Sequence, residues 1–366
     1  MQRLRVAIAV EQLWQKVPGG SATYIRQLAD ELATADQVDL VGFAAHHRAR
    51  RRLDHPLRIV VAESFLPRRA LDETWQRLRW PRVPVRGSLD VIHATTWAIP
   101  PRSAPLVVTV HDLAFLRSPE HFTARGNSFF RKALVIARAE ADAIIVPSQA
   151  TADDCIGQGF STDRIRVIPH GAKVPVVSDA EVTQFRHRHG LHRPYILWCG
   201  TIEPRKNLPT LLRAFEALSL TYSDLDLVLV GPTGWGSLDL DNHPALRNAD
   251  RLHVLGRLPA PDLHAAYAGA RVFAFPSTWE GFGLPVLEAM AHGIPVVTSE
   301  GTSMAEFARG AGLLVQPRDA DALAGAIISA AGVEHDELSR RGLVVAANHT
   351  WAEAARLTTA TYRDVA

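Results

Sequence analysis

The sequence alternates short apolar runs with longer amphipathic segments over almost its whole length. In the first half the apolar runs are LRVAIAV, VDLVGFA, LRIVVAE, LDVIHAT, PLVVTV and DAIIVPS. In the second half they are YILWCG, LDLVLVG, RLHVLG, RVFAFPS, IPVVTS and GLLVQP. Helical patterns such as ATYIRQLADELA and NLPTLLRAFEALS lie between them. Strands that alternate with helices predict an α/β fold, in which helices cover both faces of parallel sheets.

The length of 366 residues predicts two domains, because a single core rarely grows that large. Pro and Gly interrupt the alternation in IPHGAKVPVVSDAE, so we place the junction there. The first doubly wound domain is predicted to span residues 1–173, and the second residues 174–349. In such folds ligands bind beyond the carboxyl ends of the strands, and a cleft between domains is a usual place for a site.

The composition excludes several classes of protein. The chain has 40 Lys and Arg against 38 Asp and Glu, so its charge gives no case for broad nucleic-acid binding. Two cysteines, Cys155 and Cys199, are too few for a disulfide framework and indicate a reducing compartment. The apolar part of MQRLRVAIAVEQ is too short for a signal peptide, and no segment approaches the roughly 20 apolar residues of a membrane span. We therefore expect a cytoplasmic protein that at most lies against the cytoplasmic face of a membrane.

Two loops in the first half carry candidate ligand-binding residues. Gly19 and Gly20 precede a helix whose backbone amides can attract phosphate, with Ser21 as a candidate N-cap; the alternative is an ordinary turn. The full G-x-G-x-x-G fingerprint is absent, which counts against an NAD enzyme. His111 ends a strand and can hydrogen-bond a substrate while Asp112 orients its ring; the alternative is a buried polar turn.

A third loop, in CGTIEPRKNLPTLL, places Arg205 and Lys206 just before a helix. Cations at a helix N-terminus oppose the helix dipole, and an anionic ligand would offset that conflict. Arg can grip two phosphate oxygens while Lys adds a point charge. The alternative is a solvated pair without a ligand.

The segment WEGFGLPVLEAMAHGIPVV places two acids around a glycine-rich turn. Pro285 suits the first turn of a helix, so Glu288 lies about one turn inside it and Glu280 lies in the loop before it. The amides from Gly281 to Leu284 then lie at the positive end of the helix, where they can hold a diphosphate or sugar hydroxyls. Glu288 can accept hydrogen bonds from a ribose diol, and Glu280 can reach a second polyol ring. The alternative is a capping residue and an unrelated surface residue.

Together these segments resemble the retaining glycosyltransferases of family 4, also called group 1. EGFGLPVLEAMAHGIPVV matches the family's pair of glutamates with seven residues between them, and GTIEPRKNLPTLLRAF matches its phosphate-binding Arg-Lys segment. Further matches follow the family's order, in VPGGSATYIRQLADEL, TVHDLAF, PSQATADD, RIRVIPHG and TWAEAARLTTATYRDV. The resemblance implies the GT-B fold, in which two Rossmann-like domains face each other across a cleft. It also implies that a C-terminal helix, residues 350–366, crosses back to the N-terminal domain.

The resemblance implies a role for each candidate residue. Arg205 and Lys206 are expected to bind the donor diphosphate, Glu288 the nucleotide ribose and Glu280 the donor sugar near its reacting carbon. His111 is expected to contact the donor sugar from the N-terminal domain, which also binds the acceptor. The other expected donor contacts are Gly19, Gly20, Arg257, Leu258, Gly281, Phe282, Gly283 and Leu284, with Arg257 and Leu258 beside the base.

The implied reaction is the transfer of a hexose from a nucleotide sugar to a glycan, glycolipid or lipid-linked saccharide. VTVHDLAF and EPRKNL are most similar to bacterial mannosyltransferases of surface polysaccharides, so GDP-mannose is the expected donor. Two fixed cations can stabilise the leaving diphosphate, and its oxygen can take the acceptor's proton. We expect no metal and no other cofactor, since no Asp-x-Asp lies in a plausible phosphate loop and no dense His/Cys set is present. LDLDN, residues 238–242, lacks the glycine and terminal Glu of a calcium loop and is interpreted as solvated.

Several alternatives stay open. Another GT-B enzyme is possible: an epimerase would convert the donor without an acceptor, and a phosphorylase of the glycogen type would need pyridoxal phosphate. A transferase could also use a UDP-sugar and a small-molecule acceptor. A third alternative is a binding protein that senses a nucleotide or sugar without catalysis.

Two basic stretches bear on the acceptor: HHRARRRLDH, residues 46–55, and LPRRALDETWQRLRWPRVPVRG, residues 66–87. The second interleaves Trp75 and Trp80 with arginines. Such a surface could rest on anionic lipid headgroups with its aromatic rings at the interface, which favours a lipid-linked acceptor. The alternative is a solvated loop whose tryptophans pack on the core.

Overall fold

The computed structural model describes residues 3–15, 17, 19–47, 56–221, 224–232, 234 and 250–366. The basic residues 48–55 and the LDLDN segment lie outside these described residues. The chain divides into two compact units, one formed by residues 1–171 and 351–366 and the other by residues 172–350. Each unit is an α/β structure built on one parallel sheet, as the alternating pattern predicts.

The described part of the first unit contains a seven-stranded parallel sheet in the order β3-β2-β1-β4-β5-β6-β7. Its strands are β1 (Leu4–Ala9), β2 (Val38–Ala44), β3 (Val61–Glu63), β4 (Val91–Ala94), β5 (Leu106–Thr109), β6 (Ala143–Val146) and β7 (Ile165–Val167). All residues of β4, β5 and β6 are buried, which explains why these runs are continuously apolar rather than alternating. The chain order reverses between β1 and β4, which is the position where doubly wound sheets bind ligands.

The α-helices described in this unit before the junction are α1 (Gly19–Thr34), α2 (Arg68–Leu78), α3 (Ala114–Arg117), α4 (Ala124–Glu140) and α5 (Gln149–Gly157). Ser148 caps α5 as predicted, because its side chain accepts a hydrogen bond from the Thr151 amide at 3.1 Å. The predicted cap by Ser21 is wrong. The helix already begins at Gly19, whose φ of +65° a glycine adopts without strain, so Ser21 lies inside the first turn.

The described part of the second unit contains a six-stranded parallel sheet in the order β10-β9-β8-β11-β12-β13. Its strands are β8 (Tyr195–Cys199), β9 (Asp226–Val230), β10 (Leu252–Gly256), β11 (Val272–Phe275), β12 (Val296–Ser299) and β13 (Leu313–Val315). Its helices are α6 (Asp179–Arg188), α7 (Leu208–Thr221), α8 (Ala260–Ala268), α9 (Leu284–Ala291), α10 (Ser303–Ala308), α11 (Ala320–Ala331) and α12 (His335–Asn348). Here the order reverses between β8 and β11, so the loops that follow these two strands flank the expected ligand position.

Buried aromatic side chains hold β8 and β11 together. Trp198, Phe273 and Phe275 are fully buried, and the rings of Trp198 and Phe275 lie 6.3 Å apart. Burying side chains of this size contributes about 1.5–3 kcal/mol each. The strand ends that carry the candidate residues are therefore fixed by the core of the unit.

The last helix, α13 (Trp351–Val365), belongs to the first unit, as the resemblance to GT-B enzymes implies. The hydroxyl of Tyr362 is hydrogen-bonded to Nδ1 of the buried His93 at 2.7 Å. Trp351 stacks on His170 with 5.5 Å between ring centroids. A buried hydrogen bond and a ring contact thus join the C-terminal helix to the N-terminal sheet. No helix in the described ranges has the length and apolar character needed to cross a bilayer.

We predict that Gly231→Ala lowers the melting temperature by about 8 °C or more. Gly231 has a φ of +137°, and an added Cβ would lie 1.9 Å from the carbonyl oxygen of Gly200, so the loops after β8 and β9 must separate. Gly190→Ala is the matched control, because Gly190 has a φ of +65° and no atom within 4 Å of an added Cβ. The control should lose only about 2–4 °C in differential scanning calorimetry. Equal losses in both variants would contradict this account of the two loops.

Candidate active site

The loops after β8 and β11 are tied to each other by backbone and side-chain hydrogen bonds. Arg205 and Lys206 end a short 3₁₀ turn, Pro204–Lys206, that lies between β8 and α7. Asn207 follows in the left-handed conformation with a φ of 54° and donates from Nδ2 to the carbonyl of Pro276, just after β11, at 2.9 Å. The carbonyl of Arg205 accepts the Thr278 amide at 2.8 Å. The two loops therefore form one structural element at the point where the strand order reverses.

Glu280 lies between Arg205 and Lys206. Its Oε2 is 2.7 Å from Nη1 of Arg205, and its Oε1 is 2.5 Å from Nζ of Lys206. Ser277 donates its hydroxyl to the same Oε1 at 2.8 Å, and Glu203 pairs with Nη2 of Arg205 at 2.7 Å. Glu203, Lys206 and Glu280 are buried. We refer to Glu203, Arg205, Lys206 and Glu280 as the charge cluster; its two cations and two carboxylates balance.

The electrostatics of the charge cluster favour the ionised carboxylate. Burial raises the pKa of Glu280, but the charges of Arg205 and Lys206 outweigh it and hold the pKa at about 2. Burial lowers the pKa of Lys206, and the Glu280 carboxylate offsets part of that effect. Nζ of Lys206 also lies 4.8 Å from the centre of the Phe275 ring. Two cations are therefore held in a fixed geometry by the carboxylates of Glu280 and Glu203.

The turn before α9 is shaped by a glycine that no other residue could replace without strain. Gly283 has a φ of +103°, and an added Cβ would lie 2.4 Å from Cγ of Met304 on α10. Ser303 donates its hydroxyl to the carbonyl oxygens of Glu280 and Phe282, at 2.7 and 3.2 Å. Pro285 occupies the first turn of α9 as predicted. These contacts hold the whole turn from Glu280 to Leu284 against α10.

Glu288 lies on α9 and is partly buried. Burial raises the pKa of its carboxyl to about 7, while a hydrogen bond donated by the Tyr267 hydroxyl at 3.3 Å opposes this rise. The Tyr267 hydroxyl is also hydrogen-bonded to Cys199 at the end of β8, and burial together with the charge of Glu288 raises the pKa of this thiol to about 12. Sequence reasoning missed Tyr267 and Cys199 as neighbours of Glu288. The sequence offers one indication of this contact: Cys199 ends β8, and Tyr267 lies on the neighbouring helix α8.

Arg257 and Leu258 follow β10, at the edge of the sheet. Arg257 is exposed, whereas Leu258 is partly buried against the core of the unit. β9 separates β10 from β8, so the two outer strands lie about 10 Å apart across the sheet. That separation suits a ligand that extends across several strand ends, such as a nucleotide.

In the first unit, His111 follows the end of β5 and is oriented by a backbone carbonyl. Its Nε2–H donates to the oxygen of Thr95 at 3.0 Å, so Nδ1 carries the lone pair. Burial lowers its pKa, which favours the neutral ring. The prediction that Asp112 orients the ring is wrong. Asp112 instead accepts the Ala114 amide at 3.0 Å at the start of α3, in the local turn that an Asp side chain forms with the amide two residues on.

The two glycines of the first loop, Gly19 and Gly20, are exposed at the N-terminus of α1. No atom lies within 4 Å of the position of an added Cβ at Gly19. Their exposure leaves room for a ligand at the helix start. In the parts of the chain that the structure describes, no group of three or more His, Cys, Asp or Glu side chains is arranged to hold a metal ion. Metal independence stays a prediction.

We predict that Glu280→Gln destabilises the protein in a pH-dependent manner. The folded-state pKa of Glu280, about 2, lies below its ordinary value of 4.5, so its stabilising contribution is present above about pH 5 and is lost as the pH falls towards 2. The variant leaves Lys206 buried with one fewer counter-charge and should lose about 3 kcal/mol of unfolding free energy at pH 7. In urea titrations the difference from wild type should shrink between about pH 5 and pH 3. Glu120→Gln, at a mostly exposed side chain, is the control; a difference that does not change with pH would contradict the pairing.

Comparisons with known proteins agree with this geometry. Residues 18–174 match the family described as Glycosyltransferase Family 4, and residues 193–332 match Glycosyl transferases group 1. O-antigen chain mannosyltransferase B of Escherichia coli is 32% identical over 301 residues, which cover 79% of this chain and 79% of that protein. A D-inositol 3-phosphate glycosyltransferase of Pseudarthrobacter chlorophenolicus is 27% identical over 383 residues, covering 94% of this chain and 90% of that protein.

A solved structure shows the same fold. The crystal structure of Anabaena HepE in complex with UDP and glucose has a TM-score of 0.76 and 20% sequence identity, covering 99% of this chain and all of that one. At that identity the likeness concerns the fold alone. One conclusion follows from the two parallel sheets with interleaved helices, the two family matches and the Escherichia coli relative. This chain belongs to the group 1 glycosyltransferases of family 4 and has the GT-B fold.

Proposed function

We propose that this protein is a hexosyltransferase that moves mannose from GDP-mannose to a saccharide acceptor with retention of anomeric configuration. The observation that carries the proposal is the charge cluster, which fixes Arg205 and Lys206 beside the carboxyl ends of β8 and β11. The choice of mannose is supported by the name of the Escherichia coli relative, an O-antigen chain mannosyltransferase. A nucleotide-sugar donor is supported by the Anabaena structure, which contains UDP and glucose.

In this proposal the cations act on the leaving group. As the bond between the sugar and the phosphate breaks, negative charge accumulates on the diphosphate. The guanidinium of Arg205 and the ammonium of Lys206 stabilise that charge more in the transition state than in the bound donor. Because Glu280 and Glu203 already hold the cations, little reorganisation is needed during the reaction. These protein cations supply the charge that a metal ion would otherwise provide, so the proposal includes no metal and no other cofactor.

The two glutamates have different proposed roles. Glu280 accepts hydrogen bonds from the donor sugar near its reacting carbon and keeps Arg205 and Lys206 from repelling each other. Glu288 accepts hydrogen bonds from the nucleotide ribose. Burial raises the pKa of Glu288 to about 7. Hydrogen bonds donated by the ribose hydroxyls would lower this pKa, because they stabilise the ionised carboxylate. Tyr267 orients this carboxylate through its hydrogen bond.

The remaining proposed contacts come from neutral groups. His111 has a depressed pKa and an acceptor nitrogen at Nδ1, so it can accept a hydrogen bond from a donor-sugar hydroxyl. The leaving phosphate oxygen takes the acceptor's proton, which needs no separate base. Backbone contacts to phosphate and sugar are assigned to Gly19, Gly20, Gly281, Phe282, Gly283 and Leu284, and contacts to the base to Arg257 and Leu258.

We predict that Lys206→Ala lowers kcat about 10²–10³-fold, because one stabiliser of the developing charge is removed. Release of nucleoside diphosphate is measured with GDP-mannose and UDP-glucose, each with and without a methyl glycoside acceptor. Lys132→Ala removes an exposed lysine of the other unit and should leave kcat within about twofold. Undiminished turnover by Lys206→Ala would contradict the role of the charge cluster. Conversion of the donor to an epimer without an acceptor would instead identify an epimerase.

We also propose that the first unit contacts a membrane through an exposed apolar patch, formed by Phe65, Leu78 and Trp80. These side chains are 65%, 69% and 53% exposed, and the rings of Phe65 and Trp80 lie 5.6 Å apart. Exposed arginines lie close to the patch in sequence, at Arg69, Arg77, Arg82 and Arg86. Aromatic rings beside arginines suit an interface with anionic lipids and favour a lipid-linked acceptor.

Trp75, which the sequence pattern also suggested for this surface, is not part of the patch. The prediction that Trp75 lies at a membrane interface is wrong, because Trp75 is only 4% exposed. Its Nε1 donates to the carbonyl of Pro81 at 2.8 Å, and its ring packs edge-on against Phe43. On the helical period of α2, Trp75 faces the core, whereas Trp80 lies beyond the helix end and is exposed.

We predict that the double variant Phe65→Ala/Trp80→Ala sediments several-fold less with vesicles of phosphatidylglycerol, since it loses most of the apolar contact. Wild type should bind these vesicles and bind phosphatidylcholine vesicles weakly, because the arginines need anionic headgroups. The control variant is Val176→Ala/Val333→Ala, at the two most exposed valines of the other unit. Equal sedimentation of wild type with both lipids, or an unchanged double variant, would contradict the membrane contact.

A further inference from the structure

A second cluster of polar and aromatic side chains lies in the first unit, apart from every residue assigned above. It comes from three elements at the carboxyl ends of β1 and β2. They are the 3₁₀ turn Glu11–Trp14 after β1, the loop Ala45–His47 after β2, and the first turns of α2. β1 also borders the position where the strand order of this sheet reverses, so the cluster stands where doubly wound sheets bind ligands.

One side of the cluster is an aromatic wall held by a carboxylate. Oε2 of Glu11 accepts hydrogen bonds from the Ala45 amide at 2.9 Å and from Nε2 of His47 at 3.1 Å. The ring of His47 stacks on Trp14, with centroids 4.8 Å apart and 15° between the planes. Both rings are partly exposed. Glu11 therefore joins the two loops and holds the stacked rings of Trp14 and His47 beside its carboxylate.

The other side of the cluster is polar. Arg68 donates to Gln15 and pairs with Asp72, with 3.6 Å between Nε and Oδ2. Burial raises the pKa of Asp72 to about 6; Arg68 opposes this rise and the nearby charge of Glu11 adds to it. The two carboxylates are therefore close enough to interact.

Glu11 has hydrogen-bonding capacity that the fold does not use. Its Oε1 is buried and has no hydrogen-bond partner among the residues that the structure describes. That oxygen is sealed from solvent, so Glu11 supports the two rings and does not itself contact a ligand. The Asp72 carboxylate is paired with Arg68, so the cluster offers hydrogen-bonding groups beside partly exposed rings, and this combination suits a neutral polyol.

We propose that Glu11, Trp14, His47 and Asp72 form a binding site for a pyranose ring of the saccharide acceptor. The rings of Trp14 and His47 pack against the apolar C–H face of the sugar, and the Asp72 carboxylate accepts hydrogen bonds from its hydroxyls, while Glu11 holds the rings in place. A ligand with one apolar face and a rim of hydroxyls matches this division of the site. That the sugar is the acceptor rests on the proposed transferase function; that a sugar binds here does not.

The binding test uses saturation-transfer NMR on the full chain with methyl α-D-mannopyranoside and methyl α-D-glucopyranoside as probes. Wild type should transfer saturation to at least one probe. Trp14→Ala should bind that probe at least tenfold more weakly and Asp72→Asn several-fold more weakly. Val135→Ala, which trims an exposed apolar side chain outside the cluster, should bind it as wild type does. Absence of transfer to both probes in wild type, or unchanged binding by Trp14→Ala, would overturn the proposal.

A kinetic test separates a binding role from a merely structural one. With a donor that wild type turns over, Trp14→Ala should raise the KM for the glycoside acceptor at least tenfold. It should leave the KM for the donor and the hydrolysis of donor without acceptor within twofold, and Trp14→Phe should restore most of the acceptor affinity. If the KM for the acceptor, the KM for the donor and the rate of donor hydrolysis all worsened together, with a lowered melting temperature, the proposal would be overturned.

The two proposals fail in different ways. Wild type that binds a probe glycoside but turns over no donor would remove the proposed function and leave this site in place. Donor turnover together with an absence of probe binding would remove this site alone.

Discussion

The ion pairs that Glu280 makes with Arg205 and Lys206 are the interaction on which the rest of the second unit's site depends. Buried charges are strongly unfavourable unless they are paired and hydrogen-bonded. Here the loop after β8 supplies both cations and Glu203, and the loop after β11 supplies Glu280, so neither loop balances its charge alone. Because β8 and β11 are neighbours at the reversal of strand order, the loops that follow them are close enough for these ion pairs to form. Doubly wound sheets bind ligands at such a reversal, and this is where the proposed function puts the donor diphosphate.

This arrangement also explains why the surrounding backbone is so constrained. Gly283 and Gly231 occupy left-handed conformations where a side chain would collide with Met304 or with the neighbouring loop. Ser303 and Asn207 satisfy carbonyl groups that the turns would otherwise leave unpaired. A rigid support of this kind is what electrostatic stabilisation of a leaving group requires, since the charges must not move when the reaction begins.

Much of the fold could be predicted from the sequence because hydrophobic periodicity is a local property. The described strands other than β7, the cap at Ser148 and the position of Pro285 all follow from short segments, whereas the three-residue strand β7 is absent from the prediction. The pairing of Lys206 with Glu280 could not, because the two residues are 74 positions apart and only the sheet order makes them neighbours. The approach of Tyr267 to Glu288 is hidden for the same reason. Motif resemblance identified both glutamates and both cations, but their contacts with one another came only from the structure.

The errors have a common physical origin. Asp112 and Ser21 have short polar side chains that can form hydrogen bonds with more than one neighbouring group. The sequence around them does not show which of these groups becomes the partner in the fold. Trp75 and Trp80 look equivalent among arginines, but only one faces the core. The Glu11–His47–Trp14 cluster lacks any contiguous motif, since its residues come from the ends of two separate strands.

The central claim is that Lys206 and Arg205 hold the diphosphate of the donor. Calorimetric titration with GDP and GMP, and with UDP and UMP, tests it by measuring how much the second phosphate contributes to affinity in wild type and in Lys206→Ala. The account predicts that for the preferred base the diphosphate binds at least about tenfold more tightly than the monophosphate to wild type, and that this ratio falls towards one in the variant. An equal ratio in both proteins would show that the second phosphate is bound elsewhere and would contradict the account.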